Sequence, residues 1–350
     1  MTGRLTMKET EVEETVAIGN REIRVEKPWG WQRLVEVVSR NPLVFIFIFF
    51  IIIPFIVPYK ALATQIIIWG LFALGYNVCL GYTGMLSFGH AAYFGIGAYT
   101  AAIVLIRLWE NIWFALFCGL LMGAVMAFIL GYLCIKRRGI YFAMLTLAFA
   151  QLLYFIGFQW VDLTGGDNGL RNIPAVPLSI FGLSVDIYSP LRFYFFVLFF
   201  VALSLLAINL ILQSPFGHVL QAVRENDQRA KSCGYETSNV RWLAFVISGA
   251  ISGLAGGLYA LYLHFVGIES LYWTTSGQVV MMTLLGGMGT FIGPFIGAGV
   301  FLYIEDTLSV ITPNWMIFLG PVFVLCVLFF PAGIWGTIKD LATRRRKWGG

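Results

Sequence analysis

The chain reads as an all-α, polytopic membrane protein, and three observations carry that reading. Hydrophobic residues make up 59% of its 350 residues, at a mean hydropathy of +0.82. Charged residues are only 12%, about half the roughly 25% of an ordinary soluble domain. Apolar runs near the length of about 20 residues that spans a bilayer recur along the chain, with basic residues gathered at their ends. Lys136-Arg137-Arg138 and Arg344-Arg345-Arg346-Lys347 are examples, so the net charge of +5 marks cytoplasmic anchors and not a nucleic-acid surface.

Residues 1–40 form a polar tail with seven acidic and seven basic residues, a layout unlike that of a cleavable signal. Its end, from Trp29 to Val38, reads as a short amphipathic element at headgroup depth or as a partly ordered lead-in. Apolar runs follow at 43–58, 61–79, 84–106, 112–135, 140–160, 191–213 and 241–267. The basic loop 136–138 is expected in the cytoplasm. Loops 107–111 and 161–190, the latter with Asp162, Asp167 and Asp186 against Arg171, are expected outside. The segment 214–241, with Arg224, Arg229, Lys231 and Arg241, returns inside, and counting back places the N-terminus in the cytoplasm as well. The region 276–310 reads as two short apolar pieces, 277–286 and 291–304, between the acidic flanks Glu269 and Glu305-Asp306, a pair of short helices dipping in and out. A last run, 315–332, delivers a basic tail at 336–350 to the cytoplasm. The expected total is eight full spans, or ten if the short pair crosses, in a transmembrane domain over 41–335 with a cytoplasmic segment at 214–240.

Two Gly-rich stretches break this regularity. Residues 80–99 hold Gly81, Gly84, Gly89, Gly95 and Gly97 together with Thr83, Ser87 and His90. Irregular backbone in a membrane survives only inside protein or along a wet cavity, and broken helices of this kind line solute pathways. Leu285-Gly286-Gly287-Met-Gly289 matches Leu80-Gly81-Tyr-Thr-Gly84 at a constant offset. Gly81, Thr83, Gly84, Ser87, Gly89, His90, Gly286, Gly287 and Gly289 are therefore the expected pathway residues. His90 either lines that pathway or hydrogen-bonds within the fold. Close helix packing accounts for other glycines, including Gly253, Gly256 and Gly257.

From Ser214-Pro215, which ends a span, a helix-forming stretch of about 18 residues runs to Gly234, a residue suited to a helix stop. Short, charged and exposed, it suits docking into a groove on a soluble partner, or serves as a solvated connector. The outer stretch Thr164-Gly-Gly-Asp-Asn-Gly169 is a turn-rich loop that either docks a partner or simply turns. Chemistry is otherwise sparse. Cys79, Cys118, Cys134, Cys233 and Cys326 form no C-x-x-C pair, so no disulfide framework or metal site is expected. No Gly-Lys dipeptide exists, so there is no Walker A loop, and no catalytic constellation or cofactor motif is seen. His90 and His264 are the clear ionisable candidates within runs, and no acidic residue falls in an assigned run.

Residues 80–99, Leu-Gly-Tyr-Thr-Gly-Met-Leu-Ser-Phe-Gly-His-Ala-Ala-Tyr onwards, resemble the signature of branched-chain amino acid ABC-transporter permeases of the Liv type. Arg138-Gly-Ile-Tyr-Phe-Ala-Met-Leu-Thr-Leu-Ala-Phe149, Leu163-Thr-Gly-Gly-Asp-Asn-Gly-Leu170 and Ser252-Gly-Leu-Ala-Gly-Gly-Leu-Tyr-Ala260 are similar to the M-type subunit. The likeness runs over about residues 60–335 and leaves out the N-terminal tail. It implies a permease subunit of an importer in the inner membrane that moves branched-chain or similar amino acids, and not an enzyme. Permeases for urea, amides or a sugar, and an ATP-independent facilitator or channel, are the alternatives. The implied partners are a sibling H-type permease, two ATP-binding subunits, an extracytoplasmic binding protein and membrane lipid. The resemblance makes Arg224, Glu225, Asn226, Asp227, Ala230 and Gly234 part of a coupling helix that touches the ATPase. Gln228, Lys231 and Ser232 depart from the family's usual acidic residues and alanines there.

Overall fold

A computed structural model describes residues 13–18, 21–26, 47, 50–55, 57, 59–180, 183–312, 314–330 and 332–344. Seven of the described helices are long and apolar enough to cross a membrane. In chain order the helices are α1 (Lys60–Thr83), α2 (His90–Ile103), α3 (Ile112–Cys134), α4 (Ile140–Gln159), α5 (Pro190–Gln213), α6 (Pro215–Glu225) and α7 (Asp227–Ser232). Then follow α8 (Thr237–Leu263), α9 (Trp273–Gly286), α10 (Gly293–Ile311), α11 (Trp315–Phe329) and α12 (Gly333–Arg344). Two antiparallel hairpins accompany them: β1 (Glu13–Ile18) with β2 (Arg21–Glu26), and β3 (Leu178–Ile180) with β4 (Leu183–Val185). The first lies within the polar tail expected over 1–40. Its strands flank Gly19-Asn20, a two-residue hairpin signal in the sequence. The expected amphipathic element at 29–38 lies outside the described residues, as does most of the run 43–58.

Helix α1 lies at the centre of the bundle, although α3 and α5 are the more apolar helices. Of the most apolar stretch of α1, 94% is buried, against α5, α8, α9 and α10. Trp69 and Phe72 of α1 stack on Phe94 of α2 at ring separations of 5.6 and 4.6 Å. By contrast α3 and α4 bury only 33% and 28% of their most apolar stretches, so most of each faces outward.

Glycines let α2, α3 and α8 meet backbone to backbone. A Cβ on Gly253 of α8 would stand 2.5 Å from the Gly119 carbonyl oxygen and 2.9 Å from Gly123 Cα. One on Gly123 would stand 2.6 Å from the Gly249 carbonyl oxygen. The packing role read for Gly253, Gly256 and Gly257 holds: Gly256 abuts the Phe94 backbone and Gly257 the Leu116 and Ala101 side chains.

Three boundaries differ from expectation. Helix α1 continues four residues beyond 79, to Thr83, and α2 starts only at His90, because Gly84 takes a left-handed φ of 73° and closes α1. Helix α10 runs on to Ile311 and so contains Glu305 and Asp306, which corrects the reading that no acidic residue lies within a span. Helix α9, with 14 residues, is about 21 Å long, too short to cross alone, whereas α10 has 19 residues and reaches spanning length. At the α5–α6 junction, Ser214 is extended and Pro215 opens the next helix, as its locked φ and missing N–H favour.

Candidate functional site

Both Gly-rich breaks lie at the same end of the helix bundle, beside the basic loop 136–139 and the helix pair α6–α7. They are turns between helices, not interruptions part-way along one, which corrects the placement of Gly81 and Thr83 in unwound backbone. Both residues lie in the last turn of α1. Gly84 N–H bonds the Leu80 carbonyl and Met85 N–H that of Cys79, so the turn satisfies the helix end internally. Thr83 donates its hydroxyl to the Cys79 carbonyl.

The turn 84–89 and the first residues of α2 are together stitched to α4, α8 and α9. Phe88 N–H donates to Thr146 Oγ1 of α4 at 3.2 Å, and Ala91 N–H donates to Ser276 Oγ of α9 at 2.8 Å. A Cβ on Gly89 would press to 2.9 Å from the Thr146 carbonyl. His90 is fully buried. Its Nε2 lies 2.8 Å from Ser248 Oγ, and its Nδ1 lies 3.1 Å from Ser87 Oγ. Ser248 donates its own proton to the Gly75 carbonyl at 2.6 Å, which leaves it to accept from Nε2–H and leaves Nδ1 to accept from Ser87. With both ring nitrogens engaged, His90 ties α2 to α1 and α8 in this structure. Ser248→Ala would orphan the Nε2–H, and the expected loss is about 1–3 kcal/mol. Thermal unfolding in detergent reads it, with Thr83→Ala, whose hydroxyl serves only its own helix, as the near-neutral comparison.

The second turn, between α9 and α10, is held by a residue the sequence reading passed over. Asn77 of α1 is fully buried and uses both ends of its amide. Its Nδ2 donates to the Thr290 carbonyl at 2.8 Å, and its Oδ1 accepts from Gly289 N–H at 3.0 Å. A lone amide in an apolar run was the available signal, because a buried polar group must find partners. Gly287 and Gly289, at φ 122° and 72°, adopt backbone that favours glycine. Gly286 packs against the Gly293 backbone, and a Cβ on Gly287 would stand 3.1 Å from the Ala332 carbonyl at the start of α12.

The two turns meet. A Cβ on Gly81 would stand 2.5 Å from the Gly289 nitrogen, the close approach that the shared Leu-Gly pattern only hinted at. Into this junction reaches Arg224 of α6, whose Nη1 donates to the Gly81 carbonyl. A Cβ on Gly289 would stand 2.8 Å from the same Nη1. One charged side chain thus touches both Gly-rich turns.

The helix expected over 216–234 is two helices. Asn226 breaks it: its extended backbone leaves α6, and its Oδ1 accepts Arg229 N–H at 3.0 Å to cap α7. Gly234, at φ 88°, follows the end of α7. Leu220, Val223 and Ala230 are buried, while His218, Gln221, Glu225, Gln228 and Arg229 are exposed. Asp227 faces the protein: Arg138 Nη1 lies 2.5 Å from its Oδ2, and Lys231 and Arg241 lie at 3.7 Å. Burial pushes its carboxyl up, but the Thr237 hydroxyl and the Arg241 and Arg138 guanidiniums outweigh it and hold the group below the usual carboxylate value. A carboxylate lowered in the folded state stabilises above the ordinary Asp value of about 3.9 and loses that stabilisation as pH falls through the lowered value. The α6–α7 anchor is therefore expected to hold unchanged at neutral pH and to loosen only in acid. Asp227→Asn should mimic the acid state at pH 7, read as faster tryptic cleavage after Arg229 and Lys231.

No group of three or more His, Cys, Asp or Glu residues fit to hold a metal occurs among the described residues. The arrangement can relay movement between an exposed helix pair and two turns of the bundle.

Comparison with known proteins finds the following similarities of sequence. Residues 59–327 match the family described as branched-chain amino acid transport system / permease component. The chain is 31% identical over 292 residues to the high-affinity branched-chain amino acid transport system permease protein LivM of Escherichia coli, covering 78% of this chain and 69% of that protein. It is 26% identical over 312 residues to a probable LivM permease of Methanocaldococcus jannaschii, 77% of this chain and 88% of that one. It is 25% identical over 286 residues to the LivH permease of Salmonella typhimurium, 77% of this chain and 91% of that one. No solved structure matches the chain significantly.

Proposed function

The chain belongs to the family of permease components of branched-chain amino acid transport systems, and from that premise we propose how it works as one half of an importer's membrane pathway. Its cargo is a branched-chain or similar amino acid handed over by an extracytoplasmic binding protein. Two separate ATP-binding subunits drive it from the cytoplasmic side, where α6, α7 and both termini lie. The protein is multi-pass in the inner membrane, and a second, similar permease completes the pathway. Similarity to both a LivM and a LivH protein supports such a pairing of related chains.

The observation that carries the coupling step is the Arg224 bridge. The exposed face of α6 and α7, with Glu225, Asn226 and neighbouring polar residues, docks on the ATPase. Arg224 and the buried Leu220, Val223 and Ala230 face the bundle. When the ATPases close, α6 shifts and Arg224 carries the shift to Gly81 and Gly289 together. The turns 84–89 and 287–292 then form the inner gate, lined by Gly81, Thr83, Gly84, Ser87, Gly89, Gly286, Gly287 and Gly289, with His90 bracing it from behind. Small residues suit a gate, because backbone can approach backbone when it closes.

The test is recovery of the tagged chain from its native membrane in mild detergent, with co-purifying proteins identified by mass spectrometry. One similar permease and two P-loop ATPases are expected, and the ligand of the accompanying binding protein then names the cargo. Recovery of the chain alone, where a control ABC complex stays intact, overturns the reading in favour of a facilitator.

A further inference from the structure

A cluster of aromatic and acidic residues lies at the end of the bundle away from α6 and α7. A Cβ on Gly95 of α2 would stand 2.9 Å from the Ser270 carbonyl oxygen, so α2 packs directly on the turn Ile268–Leu271. Tyr99 lies one turn further along the same face of α2. It is only 5% exposed, and its hydroxyl has no hydrogen-bond partner among the described residues. Glu269 of the turn places its carboxylate within electrostatic reach of the Tyr99 hydroxyl and of Tyr259 on α8. The Glu305 carboxylate of α10 lies within the same reach of Tyr259. We infer that Tyr99, Tyr259, Glu269 and Glu305 form a receiving site for the primary ammonium group of an amino acid.

Charge is the first reason. Among the described residues the ion pairs all converge on Asp227, and none engages Glu269 or Glu305. Arg107, Arg171 and Arg192 donate instead to the backbone carbonyls of Asp162, Asn168 and Asp186. Asp306, by contrast, has the Tyr59 hydroxyl as a partner. Glu305 is half-buried in a helix of spanning length, where a carboxylate without a counter-charge is costly and marks a route for ions or solutes. The orphaned hydroxyl is the second reason. Buried polar groups find partners, and the Tyr99 oxygen can accept a hydrogen bond from an ammonium N–H. The third reason favours an organic cation over a metal. No metal-holding group of His, Cys, Asp or Glu occurs among the described residues. The Tyr259 ring instead lies 5.8 Å from Trp69 and 5.5 Å from Phe94, and aromatic faces attract organic ammonium groups. The site rests on the permease reading only in taking the cargo as its natural ligand.

Thermal unfolding of the purified full chain in detergent at neutral pH, with isopentylamine, leucine, isocaproate or sodium chloride added at equal concentration, tests the site. Isopentylamine is leucine without its carboxylate, and isocaproate is leucine without its ammonium group. The two ammonium compounds are expected to raise the unfolding temperature saturably, because a ligand of the folded state stabilises it. Isocaproate and sodium chloride should leave it unchanged. Glu305→Gln should raise the concentration needed for the shift about tenfold, what a charged hydrogen bond is worth. It should also raise the unfolding temperature of the free chain, by removing an uncompensated charge. Tyr99→Phe should weaken the shift and leave the free chain no less stable, since it deletes an orphaned hydroxyl. Glu110→Gln, an exposed carboxylate of the loop 107–111, should change nothing. An equal shift with sodium chloride makes this an inorganic-cation site, and an equal shift with isocaproate makes it an apolar one; either overturns the proposal. So does the absence of any shift, or an undiminished shift in both Glu305→Gln and Tyr99→Phe. The shift is read on the single chain without transport, so its failure leaves the permease reading standing, and the reverse also holds.

Discussion

Arg224→Ala is expected to lower ATP-driven uptake by at least about tenfold while the chain still assembles with its partners. The Nη1 of Arg224 donates to the Gly81 carbonyl and stands against Gly289. A hydrogen bond from a charged donor is worth roughly 1.5–3 kcal/mol, and less at an exposed side chain such as Arg224. Its loss is expected to decouple α6 from both turns while leaving the exposed face of α6 and α7 in place. The matching measurement is uptake into proteoliposomes containing the purified complex, with ATP hydrolysis followed in parallel. Hydrolysis that continues while uptake collapses is the signature of a broken relay. Gln221→Ala, on the exposed side of the same helix, is the control for docking alone. Normal uptake by Arg224→Ala would remove the bridge from the mechanism.

Gly253→Leu should prevent the bundle from assembling. Extra volume in a packed core costs typically about 1–3 kcal/mol when side chains can shift, but here the neighbours are backbone. The Gly119 carbonyl would stand 2.5 Å and the Gly123 Cα 2.9 Å from the new Cβ, and neither can rotate away. Helix α8 would have to part from α3, taking Ser248 from His90 and the α2–α8 contact with it. The expected result is loss of a monodisperse peak in detergent gel filtration. Gly277→Leu should be tolerated, because nothing lies within 4 Å of the position its Cβ would occupy. Equal behaviour of the two variants would show that the glycine seam does not set helix packing.

Much of this molecule is legible in the residue order because a bilayer leaves few choices. Each span must satisfy its own backbone, so length and hydropathy alone located the long helices, and Ser214-Pro215 and Gly234 punctuated the charged segment. Asn226 shows the limit. A helix-forming stretch was read through it, yet Asn followed by Asp is also a cap, and only the fold chose the cap. Gly84 is similar: its glycine was noticed, but whether it broke a helix in mid-course or closed one at its end depended on what lay beyond it. Glu305 and Asp306 were read as a flank because charge ordinarily ends a span, while α10 runs on through them for about two turns, to Ile311.

The candidate site divides in the same way. Local chemistry picked out the glycines and His90, each unusual where it stands, and the family resemblance picked out Arg224. The meeting of Asn77 with Thr290, of Gly81 with Gly289 and of Arg224 with both turns joins residues up to 213 positions apart. No periodicity or composition encodes such pairs. The sequence by itself determined that this chain crosses a membrane, where it is basic and which family it resembles. Tertiary structure alone decided that the two glycine turns lie at one end of the bundle under a single arginine, because contact between distant segments follows from how whole helices pack, and packing is a property of the surfaces together.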